Sequence, residues 1–266
     1  MKGDVLARGA SADIIEWDAL RVAKLFFPSF AHLADDEAVR TSAARGAGIG
    51  VPAVHGVENF DGRKALVLDR VVGPTLLSTA ARDAPSAARE LARLHRLMHD
   101  RTSSRLRSWQ SVVAEISHGM DAKARSDFAS LLVDVPDGDR VYHGDFHPGN
   151  VLLGDDGPVI VDWPNACTAH PASDVARTIL LTGFQGLAES PTRLLVEQRR
   201  AFARCYFEAY EASEPGIGEQ VERCLPLHAA GLLRAELSNA HASTLASIAD
   251  RRCPDPLVTL LDLGSG

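Results

Sequence analysis

Asp145, Asn150 and Asp162 stand close together in the chain, within Val141-Tyr-His-Gly-Asp-Phe-His-Pro-Gly-Asn-Val-Leu-Leu153 and the following Val159-Ile-Val-Asp162. Two carboxylates and an amide in such a run can supply one general base and two oxygen ligands for a hard divalent cation, the set that phosphoryl transfer from a magnesium nucleotide requires. The elements between them must hold that set. Val151-Leu-Leu153 and Val159-Ile-Val161 are apolar, partly β-branched runs on either side of the turn-rich Gly154-Asp-Asp-Gly-Pro158, which predicts a hairpin. Pairing about residue 156 sets Asn150 opposite Asp162 at the open end. Asp145 precedes Asn150 on a loop punctuated by Gly144, Pro148 and Gly149. Each is an ordinary loop residue alone; the information lies in the string.

The segment His143-Gly-Asp-Phe-His-Pro-Gly-Asn150 with Val161-Asp-Trp163 resembles the signature of aminoglycoside phosphotransferases and related small-molecule kinases, a group that includes choline, homoserine and methylthioribose kinases. That resemblance implies an α+β, two-lobed fold similar to that of protein kinases, with a small antiparallel sheet lobe and a larger, mostly helical lobe. It implies Asp145 as catalytic base, Asn150 and Asp162 as Mg²⁺ ligands beside ATP, and His143 and His147 as braces of the loop. Trp163-Pro164 stands where protein kinases carry Phe-Gly.

Two other chemistries use the same residues. A metal-dependent hydrolase would take His143, Asp145 and His147 as ligands, but it needs partners in matching motifs, and His170 and His228 stand in none. A non-catalytic nucleotide-binding module is expected to lose Asp145, Asn150 or Asp162, and all three are present.

The front of the chain reads as the nucleotide lobe. Of 28 Lys and Arg residues only Lys2, Lys24, Lys64 and Lys123 are lysine, so a lysine in the strand-like Leu20-Arg-Val-Ala-Lys-Leu-Phe-Phe27 points to a required compact ammonium. The resemblance gives Lys24 the α- and β-phosphates and Glu37, in Asp35-Asp-Glu37, as its acidic partner. Leu6-Ala-Arg-Gly-Ala-Ser-Ala-Asp13 would cover the phosphates, with Gly9 and Ser11 allowing close approach of backbone N–H groups. Val51–Gly56 and Arg63–Asp69 read as two further strands joined at Asp61-Gly62. Asp69-Arg-Val-Val-Gly-Pro74 resembles the hinge that binds adenine. The expected division is residues 1–70 for the nucleotide lobe and 71–266 for the catalytic and substrate-binding lobe.

Helical spacing dominates the remainder. Apolar residues at 87, 88, 91, 94, 97 and 98 predict one buried stripe after Pro85, with His95 a hydrogen-bonded core histidine. Pro171 opens another helix, in which the resemblance gives Asp174 the task of fixing the catalytic loop through its backbone. Residues 192–212 and 217–250 read as two more helices, the second broken near Pro226, and Phe202, Tyr206, Phe207 and Tyr210 as ordinary core.

With 266 residues, 45% hydrophobic and 24% charged, the chain can bury a substantial core. Cys167, Cys205, Cys224 and Cys253 form no Cys-x-x-Cys pair, so reduced thiols and no zinc site are expected. The net charge of −7 disfavours nucleic acid. No apolar run spans a membrane and Met1–Leu6 lacks a secretion signal's apolar stretch, so a cytoplasmic protein is expected. The expected partner is a small molecule with a free hydroxyl. An aminoglycoside antibiotic ranks first, in a resistance role, and a metabolic amino alcohol or sugar second. A cationic substrate would draw on acids such as Asp137, Asp139, Glu189 and Glu236.

Overall fold

Five short strands occupy the first 69 residues: β1 (Val5–Arg8), β2 (Ala12–Glu16), β3 (Arg21–Phe26), β4 (Val54–Phe60) and β5 (Arg63–Asp69). They pair antiparallel in the order β1-β2-β3-β5-β4. The structure is a computed structural model describing residues 3–185, 192–235 and 241–262. Asp61 and Gly62, with φ of 51° and 76°, form the tight turn that Asp-Gly adopts readily between antiparallel strands. The strand expected from residue 51 begins instead at Val54, because Pro52 has no N–H to give the ladder.

Alternation along β3 decides what Lys24 meets. Ala23 and Leu25 join Ile15, Ala65 and Val67 on one face. Phe26 joins Leu66 and Ala34 on the other, where helix α1 (Leu33–Gly46) lies. Lys24 shares the face of Phe26 and therefore points at α1.

Beyond Asp69 the chain is mostly helical: α2 (Leu76–Ala80), α3 (Ala84–His99), α4 (Trp109–His118), α5 (Ala122–Leu132), α6 (Pro171–Gly183), α7 (Arg193–Ser213), α8 (Ile217–Ala235), α9 (Ala242–Ala249) and α10 (Pro256–Leu261). This is the mixed α+β organisation expected. Asp83 caps α3 by accepting from Ser86 N–H at 3.0 Å, with Pro85 in the first turn. Leu91, Ile179, Tyr206 and Leu225, from four helices, share one core with Phe146 and Trp163. Leu97, expected in the buried stripe, is 47% exposed, and His99 is buried instead. At about 100° per residue, position 97 lies some 120° away from Leu91, whereas 95, 98 and 99 stay on its side. Helix α8 runs unbroken through Pro226, so the break expected there is absent. Among the described residues no helix is long and apolar enough to cross a membrane, and the four cysteines are free thiols.

Two small sheets carry the segment around Asp145. β6 (Arg140–Tyr142) pairs with β9 (Cys167–Ala169), and β7 (Val151–Gly154) with β8 (Gly157–Ile160). The hairpin register departs from the expectation. Gly154 faces Gly157, Val151 faces Ile160, and Val161 N–H donates to Asn150 O at 3.0 Å. Asn150 is thus opposite Val161, and Asp162 lies one residue beyond. Gly157 adopts φ of 116°, which closes the loop on Asp155 and Asp156 alone.

Candidate active site

Gly144 begins the loop that presents Asp145. Its φ is 77°, and a Cβ there would fall 2.6 Å from the Tyr142 ring and 2.8 Å from Asn165 Cβ, so only glycine fits. The loop is then tied from below. Asp174, fully buried near the start of α6, accepts from His143 N–H at 2.6 Å and from Gly144 N–H at 3.0 Å. Thr178 and Arg177, on the same helix, donate to the carbonyls of Phe146 and Gly144. The expectation for Asp174 matches this geometry; Arg177 and Thr178 carried no sequence signal.

Both histidines beside Asp145 are spent on the backbone. His143 Nδ1 accepts from Asp145 N–H at 3.1 Å, and its Nε2 lies 3.2 Å from Val161 O. His147 Nδ1 accepts from Gly149 N–H at 3.1 Å, while its Nε2 stands 3.9 Å from Asp145 Oδ2. They brace the loop and do not form, with Asp145, the ligand set of a metal hydrolase. Among the described residues the one group with metal-ligand spacing is His95, His99 and Asp174. Asp174 already receives two backbone N–H groups there.

Asn150 donates Nδ2–H to Asp145 O at 2.9 Å and lies 3.4 Å from Asp145 Oδ2. With its amide nitrogen committed, the side-chain oxygen is the atom that could hold a cation. Asp162 recovers from the hairpin register by leaving extended geometry, with φ of 70°, a conformation that Asp tolerates better than most L-residues. Trp163 then drops into the core, donating to Ile160 O at 3.0 Å and packing at a tilt of 49° against the His143 ring, centroids 4.4 Å apart. The turn that sets Asp162 is therefore fastened on its far side.

Lys24 joins the two regions. Its Nζ is 2.8 Å from both Glu37 carboxylate oxygens and 2.5 Å from Asp162 Oδ1. Burial alone would depress this lysine, but the charges of Glu37 and Asp162 outweigh it and raise its pKa above the ordinary value. It stays an ammonium, held between the sheet and the catalytic hairpin. Arg40 adds a second tie by donating to Pro164 O.

Other expected nucleotide contacts are placed differently. Gly9 N–H donates to Ala12 O at 2.9 Å, closing the β1–β2 turn, and Ser11 O accepts from Phe27 N–H at 2.9 Å, extending the β2–β3 ladder. The Asp69 carboxylate accepts from Ala53 N–H at 3.0 Å and meets His55 Nε2 at 2.7 Å. That bracing engages both Asp69 carboxylate oxygens before the chain passes into the segment expected to be the hinge. There the chain crosses β7 closely: Leu153 N–H donates to Pro74 O at 2.9 Å, and a Cβ on Gly73 would strike Leu153 O.

On the other side of Asp145 a cavity of about 990 Å³ opens between α2, α6 and α7, also lined by His147 and Pro148. None of Lys24, Glu37 or Asp162 lines it. The geometry therefore puts Asp145 between the Asn150 and Asp162 side chains on one side and room for a second molecule on the other.

Residues 7–216 match the model of the Phosphotransferase enzyme family. The chain belongs to this family. Its fold is shared by solved phosphotransferases of low sequence similarity. A thermostable mutant of an aminoglycoside phosphotransferase, in its apo form, superposes with a TM-score of 0.59 at 15% identity, covering 100% of this chain and 96% of that one. An aminoglycoside-3'-phosphotransferase of type VIII gives 0.58 at 20% identity over 85% and 91%. A choline/ethanolamine kinase family protein from Mesorhizobium loti gives 0.52 at 17% over 98% and 84%. Comparison with curated proteins finds no match. The protein-kinase-like architecture of this phosphotransferase is thereby established, and the protein is an enzyme of the kinase type.

Proposed function

We propose that this phosphotransferase moves the γ-phosphate of ATP, with Mg²⁺, to a hydroxyl of a small molecule, using Asp145 as base. The observation that carries this reading is the chain of contacts from Glu37 through Lys24 to Asp162, ending beside Asn150 and Asp145 at the mouth of a cavity. Membership of the family supports ATP as donor.

Lys24 would hold the α- and β-phosphates with a compact positive charge, and Glu37 keeps that charge in place. The oxygens of Asn150 and Asp162 form a hard donor set that fits Mg²⁺. When bound, the metal neutralises charge on the phosphates. Asp145 accepts the proton of the acceptor hydroxyl and orients its oxygen for in-line attack. Asn150 holds Asp145 through both its main-chain and side-chain oxygens, which fixes the base. Positioning and charge neutralisation do most of the work in such transfers.

The expectation of an aminoglycoside acceptor is supported by likeness to phosphotransferases of that type. Two acids that such a substrate would draw on are occupied away from the cavity: Asp137 accepts from Gln110, and Asp139 stands 3.5 Å from Arg140. Glu189 and Glu236 lie outside the described residues.

ADP release from Mg-ATP, measured over a panel of hydroxylated compounds, tests the reading. Asp145→Asn is expected to lower turnover by about 10²–10⁴-fold while Mg-ATP affinity stays within a few-fold. Near wild-type turnover in that variant would remove Asp145 as base.

A further inference from the structure

The lining of the cavity beside Asp145 carries a charge pattern that the phosphate chemistry does not need. Among the described residues that line it, ten of seventeen are apolar, Leu77, Leu195 and Phe202 being the bulkiest with surface left open, and Asp145 is the one carboxylate. The cations are Arg82 and Arg199. Arg199 directs its guanidinium to the carbonyls of Leu181, Thr182 and Gln185, at 2.7, 2.7 and 2.5 Å, and so caps the end of α6. Arg82 is different. It sits exposed just after α2, and among the described residues no carboxylate pairs with it.

A polyammonium molecule fits this lining poorly. An ammonium group taken out of water without a counter-charge is strongly disfavoured, and Asp145 is committed to the reacting hydroxyl. A very small amino alcohol fits poorly for another reason. Cavities of roughly 300–1,000 Å³ hold drug-sized ligands, and about 990 Å³ lies at the top of that range.

Resting on the phosphotransferase reading above, we propose that the acceptor is an amphipathic alcohol: a hydroxyl, a sizeable apolar body, and one carboxylate that pairs with Arg82. The apolar body is desolvated against Leu77, Leu195 and Phe202. The guanidinium meets the carboxylate through two parallel N–H donors, and the hydroxyl rests against Asp145. In the transfer, the hydroxyl oxygen bonds to the γ-phosphorus as the bond to the β,γ-bridging oxygen breaks. ADP leaves with that electron pair and Asp145 takes the hydroxyl proton. The product is a phosphate monoester carrying a free carboxylate.

Calorimetric titration of the full chain, in the presence of Mg-ADP, tests this with 12-hydroxydodecanoate, its methyl ester and kanamycin as probes. The acid is expected to bind at least about tenfold more tightly than the ester, the worth of one charge-assisted hydrogen bond, and more tightly than kanamycin. Arg82→Ala should reduce the acid-over-ester preference to less than about threefold, and Arg82→Lys should retain part of it, because a point charge still attracts the carboxylate. Equal affinity for acid and ester, no binding of the acid, or tighter binding of kanamycin would each overturn the assignment. A parallel titration with Mg-ATP separates the two readings. Intact nucleotide binding without acid preference refutes only the acceptor; absent nucleotide binding refutes the phosphotransferase reading itself.

Discussion

Arginine outnumbers lysine among the basic residues of this chain, yet the cation between Glu37 and Asp162 is Lys24. The geometry gives the reason. One nitrogen meets two carboxylates at 2.5–2.8 Å in a buried space, which a planar fork on a longer stem cannot do without moving β3 or α1. Lys24→Arg is therefore expected to lose at least one charge-assisted contact, worth about 1.5–3 kcal/mol, and to lower kcat/KM for ATP by roughly 10–100-fold. Steady-state kinetics with varied ATP measures this; an unchanged kcat/KM would mean the ammonium has no phosphate to hold. Asp162→Ala addresses the neighbouring position. It leaves Lys24 its partner Glu37 but removes one of the two side chains proposed to hold Mg²⁺, so nucleotide affinity should lose its dependence on Mg²⁺ in a titration with and without EDTA. These residues were legible in the sequence because their chemistry dictates both type and spacing. Gly9 and Asp69 were assigned by position alone, and their polar groups went to local bracing that no motif announces.

At the scale of elements, the least legible part of the site is what holds it from behind. Helix α3 carries His95 and His99, and α7 carries Tyr206 and Tyr210, each pair one turn apart. They meet as two rungs: His95 Nδ1 to Tyr206 OH at 2.6 Å and His99 Nδ1 to Tyr210 OH at 2.7 Å, both across 111 residues. The other ring nitrogens face Asp174 Oδ2, at 3.2 and 3.6 Å. Burial would raise the Asp174 carboxyl, but the two histidines against it outweigh that and hold it well below the usual carboxylate range. The tyrosine hydroxyls engage both Nδ1 atoms, while the two Nε2 atoms face Asp174 Oδ2 without a hydrogen-bond partner in good geometry. Periodicity identified the helices and the core role of His95, but not that the tyrosines are polar partners, since nothing local joins residues so far apart. It also misjudged the β7–β8 register by one residue, because a Gly-Asp-Asp-Gly turn leaves two- and three-residue loops equally open until Gly157 takes its positive φ. Tyr206→Phe keeps the ring and orphans His95 Nδ1, which should cost about 1–3 kcal/mol. Equilibrium urea unfolding reports it as a lower midpoint at unchanged slope; an unaltered midpoint would show that the rung bears no load.

For the whole molecule, the same burial makes stability depend on pH through histidine. Burial lowers His95 from its ordinary 6.5 to about 4, with the nearby His99 adding to the effect. Burial lowers His228, which meets Ser173 Oγ at 2.9 Å, to about 3. His99 and His143 move the same way for the same reason. A depressed folded pKa means that between pH 6.5 and 4 the unfolded chain binds protons that the native protein refuses, so stability falls on acidification through that window. At pH 5, His95 and His228 together account for a loss of about 4 kcal/mol relative to pH 7.5. Burial pushes the Glu37 carboxyl up, and its proton uptake in the native state offsets part of that loss. The depressed carboxyl of Asp174 adds nothing in this window, because its contribution disappears only at still lower pH. Urea unfolding at pH 7.5 and 5.0 should therefore show a clearly lower midpoint at the acidic value. His228→Gln, which keeps a hydrogen bond to Ser173 but cannot titrate, should remove about 2 kcal/mol of that difference. Equal midpoints at the two pH values would mean that these histidines are solvated or charged in the native protein, and that the packing of α3, α6, α7 and α8 around them is not as described.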